Sequence, residues 1–227
     1  MKKLQVYVLL SCAAGIVGCS HLPEKEKSTP IDANTSHVSF QSAPEDRRYR
    51  WDVKTLQDAA ADWLDKLGMP WQHNMTISKM VNMWKCPKEM SDTSSRYSDP
   101  KGYRDEANVV NLEATIKEYI QEGDGDIHLV LTDGSNDMIA EVPNPDSTTN
   151  RYGVRKDCRA VRDWLHNYLG EPAMWLPNHE LSHHPKDVGK VVVVGVPFFD
   201  KPHNQLGVAP NGIEIHPVLG ISFQGQN

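Results

Sequence analysis

The sequence predicts a mostly β fold, in which residues 105–227 close into a small five-stranded barrel. Apolar and polar residues alternate in short runs, and such runs indicate strands that bury one face each. One amphipathic helix stands between the third and fourth runs, so the predicted order is β-β-β-α-β-β. This number and order of elements is typical of the OB-fold, and another small barrel or half-barrel of the α+β class is the alternative.

Three strands are predicted before the helix. The first begins near Asn108, where apolar residues at positions 110, 112, 114 and 116 alternate with polar ones. The second and third cover residues 127–132 and 137–142. Clusters of Gly, Asp, Ser and Asn separate the three runs, and such clusters mark turns between strands.

The helix is predicted over residues 154–169, because five apolar side chains recur there at helical spacing and Gly170 follows the last of them. Two further strands are predicted at 190–199 and 212–223. The five apolar positions of the helix are Val154, Cys158, Val161, Leu165 and Leu169.

Residues 49–104 are predicted to form a helical and loop extension that packs on the barrel. Its main element is a helix from Asp52 to Leu67, with Asp52 as the cap and Gly68 at the end. Residues 76–84 form a second, short apolar element, and the pattern does not decide whether it is a helix or a strand. Residues 19–48 are poor in apolar side chains, which predicts a flexible tether.

The N-terminus carries a targeting signal. Lys2 and Lys3 precede a short apolar run, and Gly18 stands directly before Cys19. This pattern resembles the lipobox of bacterial lipoproteins, which implies removal of the signal peptide 1–18 and anchoring in the lipid bilayer through an acylated Cys19. The residue after Cys19 is Ser20 and not Asp, and this resemblance implies sorting to the outer membrane, with the protein facing the periplasm. The alternative is an ordinary secretory signal that contains a cysteine.

The charge balance disfavours nucleic acid as a partner. The formal charge of −6 becomes −8 when residues 1–18, which carry Lys2 and Lys3, are removed. A nucleic-acid binder that neutralises phosphates needs the opposite sign. In the periplasm, we expect an envelope protein or a glycan as the partner instead.

Two cysteines, Cys86 and Cys158, remain after cleavage. The periplasm is oxidising, so a Cys86–Cys158 disulfide is predicted, with two separate free thiols as the alternative. No Cys/His spacing typical of a structural zinc site is present.

One string matches the HExxH motif of zinc proteases, in which two histidines and a glutamate lie on one helical face. It comprises His179, Glu180 and His183. Pro177 and Pro185 flank the string and its neighbours are polar, so the sequence predicts a histidine-rich surface loop. The metalloprotease is therefore only a minor alternative.

A second set of acidic and imidazole side chains is predicted to converge at one rim of the barrel. Glu214 and His216 share one face of the last strand, and Asp126 shares a face with His128. Two histidines with carboxylates suit a zinc or manganese site, or general acid/base hydrolysis. The alternative is that these residues cap turns and strand ends. The candidate catalytic residues are His128, Glu141, Asp200, His203, Glu214 and His216, of which His128, Glu214 and His216 are the candidate metal ligands.

Two strings, DIHLVLTDGSNDMIAEVPNP and GVPFFDKPHNQLGVAPNGIEIHPVLGISF, resemble an uncharacterised family of exported bacterial proteins. The shared patterns are HLVL–D, MIAE–P and GVAPNGIE–HPV, and the resemblance covers residues 75–223. It implies one domain, and its Cys-Pro and later Cys match Cys86-Pro87 and Cys158, in line with the disulfide. It implies no activity. The polar positions that it shares are His128, Asp133, Glu141, Asp200, His203, Glu214 and His216.

The expected function is that of a membrane-anchored binding module of the cell envelope, because OB-type barrels bind oligosaccharides, oligonucleotides or peptides on one sheet face. A metal-dependent hydrolase with its site at the barrel rim is the alternative, and a purely structural component of the envelope is a further option.

Overall fold

The computed structural model describes residues 50–58, 61, 72–84, 104–148, 151–178, 180–201 and 205–225. The predicted signal peptide, Cys19, the tether 19–48, Cys86, His179 and His203 lie outside the described residues. No helix in the described ranges is both long and apolar enough to cross a membrane.

Three α-helices and six strands make up the described part of the chain. The helices are α1 (Trp51–Lys54), α2 (Ile77–Met83) and α3 (Val154–Leu169). The strands are β1 (Gln72–Thr76), β2 (Val109–Gln121), β3 (Ile127–Thr132), β4 (Asp137–Val142), β5 (Lys190–Phe199) and β6 (Ile213–Phe223). Single 3₁₀ turns cover Arg104–Ala107 and Arg151–Gly153.

Strand β2 closes the barrel because it pairs with two different strands. Its first half pairs with β5 over residues 110–115, and its second half pairs with β3 over residues 115–121. The closed order is therefore β2-β3-β4-β6-β5-β2, in which only β4 and β6 run parallel. Helix α3 lies between the third and fourth barrel strands along the chain. The predicted OB-like, mostly β barrel is confirmed.

The core consists of the side chains that the alternation assigns to the inner face. Leu129 and Leu131 of β3, Ala140 of β4 and Ile215 of β6 all belong to one buried cluster. Helix α3 adds its predicted apolar stripe to the same cluster, so its register is confirmed as well. On the adjacent side of α3, the Trp164 ring stacks on Phe223 of β6 at 5.0 Å between ring centroids.

Strands β5 and β6 approach closely where β5 has a glycine. The pairing register shifts on both sides of Gly195. A β-carbon at this position would collide with Ile215 and would lie 2.6 Å from the backbone oxygen of Pro217. Only glycine fits this contact without a backbone shift, and the resulting irregularity bends the strand as closure of a small barrel requires.

The helix predicted from Asp52 to Leu67 forms only at its start, because helix α1 begins at Trp51 and does not continue past Lys54. Helix α1 ends at Lys54, and Leu56 has a left-handed φ of 56°, while residues 59–60 and 62–70 lie outside the described part. Tertiary contacts explain why the helix ends. The four consecutive side chains of residues 53–56 are all buried, whereas a helix lying on the surface buries only the side chains of one face.

The sequence pattern also missed strand β1, which pairs parallel with the start of β2. The short apolar element at residues 76–84 is now assigned: it is helix α2, and Thr76 caps it by accepting a hydrogen bond from the Lys79 amide at 3.1 Å.

Candidate functional site

Eight charged or titratable side chains gather on the outward face of β3, β4 and β6, at the end of the barrel where β3 begins. Four of them lie on the strands and alternate with core residues: His128 lies directly opposite Glu141, and the pairing of Ala140 with Ile215 brings Glu141 beside the start of β6, which carries the other two. The remaining four come from α1 and from the loops at this end. We call this set the charged cluster; it consists of Lys54, Glu122, Asp126, His128, Glu141, Asp200, Glu214 and His216.

His128 contacts one carbonyl and two carboxylates. Its Nε2 lies 2.9 Å from the backbone oxygen of Leu206. Its Nδ1 lies 3.5 Å from Oε1 of Glu141 and 3.6 Å from Oε1 of Glu122, distances too long for good hydrogen bonds. Burial on its own would lower the pKa of His128, but the Glu141 and Glu122 carboxylates outweigh burial and raise it.

His216 is almost completely buried beside the same glutamate. Its Nδ1 lies 2.9 Å from Oε2 of Glu141 and 3.4 Å from Oε1 of Glu214. Its Nε2 has no hydrogen-bond partner among the residues that the structure describes. Burial disfavours the charged imidazolium, yet the two carboxylates prevail and raise the pKa of His216 to about 9. Glu141 thus faces a different histidine with each of its oxygens.

Lys54 is the one cluster member that comes from the segment before the barrel. Its Nζ lies 3.2 Å from Oδ2 of Asp200 and 3.7 Å from Oε1 of Glu214. Burial opposes the charged ammonium, but Glu214, Glu141 and Asp200 raise the pKa of Lys54 above its usual range. Lys54 therefore stays charged inside the protein.

A second buried ion pair holds this segment in place. Arg50 forms a two-pronged contact with Glu106, with N–O distances of 2.7 and 2.5 Å, and Glu106 also accepts a hydrogen bond from the Phe199 amide. The guanidinium lies over the Phe198 ring, against which Val53 also packs. The contacts of Arg50 on one side and Lys54 on the other fix helix α1 against β5 and β6.

The acidic members differ in how strongly their surroundings favour ionisation. Burial and the neighbouring Glu141 raise the pKa of Glu122 to about 7. Burial likewise raises the pKa of Asp126 to about 6, although the Asn144 amide donates to its carboxylate at 2.7 Å. For Glu141, Lys54 and the two histidines outweigh burial and lower the pKa well below its usual value. Glu141 is thus the permanent anion at the centre of the cluster.

The chain itself covers much of this face. Residues 205–212 cross over β3, and a β-carbon on Gly207 (φ 89°) would lie only 2.8 Å from a methyl group of Val130. The cluster is therefore shielded from water on most sides. Of the three residues around Nδ1 of His128, Glu122 is the most open, with 24% of its side chain exposed against 4% for His128 and 6% for Glu141.

Two overlapping sets of three side chains have ligand atoms close enough to hold a metal ion. In each set, one ligand atom from every residue lies within 4.8 Å of the others. The sets are Glu122–His128–Glu141 and Asp126–Glu141–His216, so Glu141 belongs to both.

The structure brings five of the six sequence-predicted candidates together, namely His128, Glu141, Asp200, Glu214 and His216; the sixth, His203, lies outside the described residues. Two members of the cluster were not among the candidates. Glu122 precedes a Gly-Asp turn and shows no pattern that marks it as a site residue. Lys54 lies in the segment that was predicted to be helical, where a lysine normally indicates a solvated face.

The HExxH string is not a helix in its described part. Glu180 and His183 lie in an irregular exposed segment, where Trp175 and Leu181 form an isolated β-bridge. His183 contacts the Glu171 carbonyl through Nε2 and the Ser182 hydroxyl through Nδ1. The described part of the string, residues 180–183, therefore lacks the helix that the protease motif requires.

Among the described residues, Cys158 is a free and fully buried thiol. Cys86 lies outside them, so the Cys86–Cys158 disulfide stays a prediction. The side chain belongs to the apolar stripe of α3 that packs into the core, and burial raises the pKa of the thiol to about 12. A thiol in this setting is neither a ready nucleophile nor a ready metal ligand.

No protein-family model, curated protein or solved structure matches this chain.

Proposed function

We propose that this chain is a membrane-anchored binding module of the bacterial cell envelope, held in the outer membrane through Cys19 and facing the periplasm. Its partner-binding surface is the outward face of β3 and β4. The supporting observation is the position of the charged cluster. OB-type barrels bind their ligands on the face of the second and third strands, between the loop joining strands one and two and the loop joining strands four and five.

In this barrel, β3 and β4 are the second and third strands. The described residues of the two loops are 122–126, and 200–201 with 205–212, and both loops contribute to the charged cluster. Five carboxyl groups there outnumber three basic groups, so a partner that reaches this covered face should present positive charge. Lys54 of the same chain already neutralises part of this negative charge.

Photo-cross-linking in living cells tests this proposal. A photoreactive amino acid at Leu206, which is 43% exposed beside His128, should give a cross-linked product with an envelope component. The same amino acid at Met83, which is 60% exposed on α2, is the control and should give none. Equal yields from both positions, or no product from Leu206, would argue against this face as the binding surface.

The second candidate is a metal-dependent hydrolase. The observation that favours it is the pair of three-residue sets that could hold a metal ion, of which zinc best suits mixed imidazole and carboxylate ligands. A chromogenic ester or phosphoester would then be hydrolysed by the purified chain. The activity should disappear with a chelator, return with zinc and be absent from Glu122→Gln. Activity that resists both changes would contradict this candidate.

A further inference from the structure

The hydrogen bonds of His128 determine which of its nitrogens carries a proton. The contact between Nε2 and the Leu206 carbonyl is 2.9 Å long. A carbonyl oxygen can only accept, so Nε2 must donate its N–H. In the neutral ring, the remaining nitrogen, Nδ1, is then a pure acceptor with its lone pair directed away from Leu206.

This acceptor faces two more acceptors. Nδ1 lies 3.5 Å from Oε1 of Glu141 and 3.6 Å from Oε1 of Glu122, and it has no hydrogen-bond partner within the described part of the chain. Three lone-pair atoms that face one another in a mostly buried place repel unless a positive charge lies among them. Such an arrangement is what a bound cation would stabilise.

The distances fit a metal ion better than a hydrogen bond. Ligands about 2.1 Å from a tetrahedral zinc ion are separated from each other by about 3.4 Å. The separations of 3.5 and 3.6 Å are close to this value, whereas an N–H···O hydrogen bond would bring the atoms to about 2.9 Å.

The surroundings also resemble those of a metal site. Histidine ligands generally donate their second N–H to a carbonyl or carboxylate, as His128 does to Leu206, and this contact fixes the ring. The other oxygen of Glu141 is held by His216 at 2.9 Å, which orients the carboxylate. Glu122, the more exposed member, provides a route from solvent.

We propose that Glu122, His128 and Glu141 form a binding site for one divalent transition-metal ion of the zinc or manganese class. One imidazole nitrogen and two carboxylate oxygens leave at least one coordination position for water or a partner's group. The site is independent of whether the face binds an envelope partner, and it supplies the ion that the hydrolase candidate needs.

Metal binding by the purified full-length chain tests this inference. After removal of metal with a chelator, zinc and then manganese are titrated by calorimetry at neutral pH, and metal content is measured by mass spectrometry. The expected result is one equivalent of zinc or manganese. The variant Glu122→Gln should bind at least about 100-fold more weakly, since even the loss of a residue that only supports a ligand costs 10–100-fold.

Two matched variants make the result specific. Glu113→Gln changes an exposed glutamate on β2 and should bind the ion as the unchanged chain does. Asp126→Asn removes a member of the other three-residue set and should leave affinity within a few-fold. No stoichiometric ion, unchanged binding in Glu122→Gln, or loss only in Asp126→Asn would each overturn the assignment. The absence of a stoichiometric ion would mean that a second proton on His128, not a metal, stabilises the cluster.

Discussion

Lys54 is a lysine buried against carboxylates on the face of the barrel. Breaking a buried ion pair is costly because the remaining charge stays out of water without a partner. The side chains of Lys54 and Asp200 are only 9% and 8% exposed. The pair therefore differs sharply from the surface pairs of the same protein.

Replacing Lys54 by methionine should lower the free energy of unfolding by about 3–5 kcal/mol, because Asp200 loses the cation paired with it and Glu214 loses one of its two neighbouring cations. The matched control is Lys117→Met. Lys117 pairs with Asp137 at 2.7 Å, but its side chain is 49% exposed, so its loss should cost about 0–1 kcal/mol. Urea denaturation followed by circular dichroism measures both. Equal effects would show that the Lys54 pair is not buried in solution.

Asp133 gives a prediction for the acid range. Burial slightly favours its neutral form, but hydrogen bonds from Ser78, Asn136 and Ser135 outweigh it and lower the pKa of Asp133 from 3.8 to about 2. A carboxylate with a lowered folded-state pKa stabilises the fold above its unfolded pKa, and this contribution is lost as the pH falls from about 4 to about 2.

The variant Asp133→Asn should therefore be less stable than the unchanged chain by about 1 kcal/mol at pH 7, a value kept small because the group is largely exposed to water. The difference should shrink below pH 4 and be absent near pH 2. Melting temperatures measured across this range test the prediction. A difference that stays constant with pH would exclude the Asp133 carboxylate as its cause.

At the scale of elements, the hydrophobic pattern was a sufficient guide to strands β2 to β6. Strand β2 alternates between buried and more exposed residues, whereas β5 reads as a nearly continuous apolar run because it is buried on both faces over much of its length. Strand β1 escaped prediction because it reads QHNMT, with only one apolar residue. The helix from Asp52 was wrong because Arg50 and Lys54 take their conformation from Glu106, Asp200 and Glu214, which are distant in sequence.

The glycine at position 195 of strand β5 should tolerate a side chain poorly. In Gly195→Ala, the new β-carbon meets Ile215 and the Pro217 carbonyl, and we expect a loss of about 1–3 kcal/mol in the free energy of unfolding. Gly220→Ala on the paired strand is the control, because its β-carbon would lie 3.4 Å from the nearest atom, on Val194. If both variants unfold at the same urea concentration, the close approach of β5 and β6 is not as described.

At the scale of the whole molecule, the barrel brings together residues from before the barrel, three of its strands and two loops. The sequence predicted His128, Glu141, Asp200, Glu214 and His216 as candidates because they lie on the polar faces of recognisable strands. It could not predict Lys54 or Glu122. Their place in the charged cluster depends on how α1 docks and on where β2 turns into β3, and neither is a property of a local pattern.

Two segments that cross the outside of the barrel explain why the charged cluster is buried. The face that OB-type barrels offer to ligands is here covered by residues 50–56 and 205–212 of the same chain. A partner that binds at this face would need to displace one of these segments or to bind through the ion that we place beside Glu122.

The most direct test of the metal assignment is a crystal structure with anomalous diffraction recorded on both sides of the zinc absorption edge, from crystals grown with zinc. The expected result is one strong anomalous peak about 2.1 Å from Nδ1 of His128 and from one oxygen each of Glu122 and Glu141. Two results would contradict the assignment while Nδ1 of His128 still faces the two carboxylates. One is a peak only at the exposed His183 and His184, and the other is no peak at all.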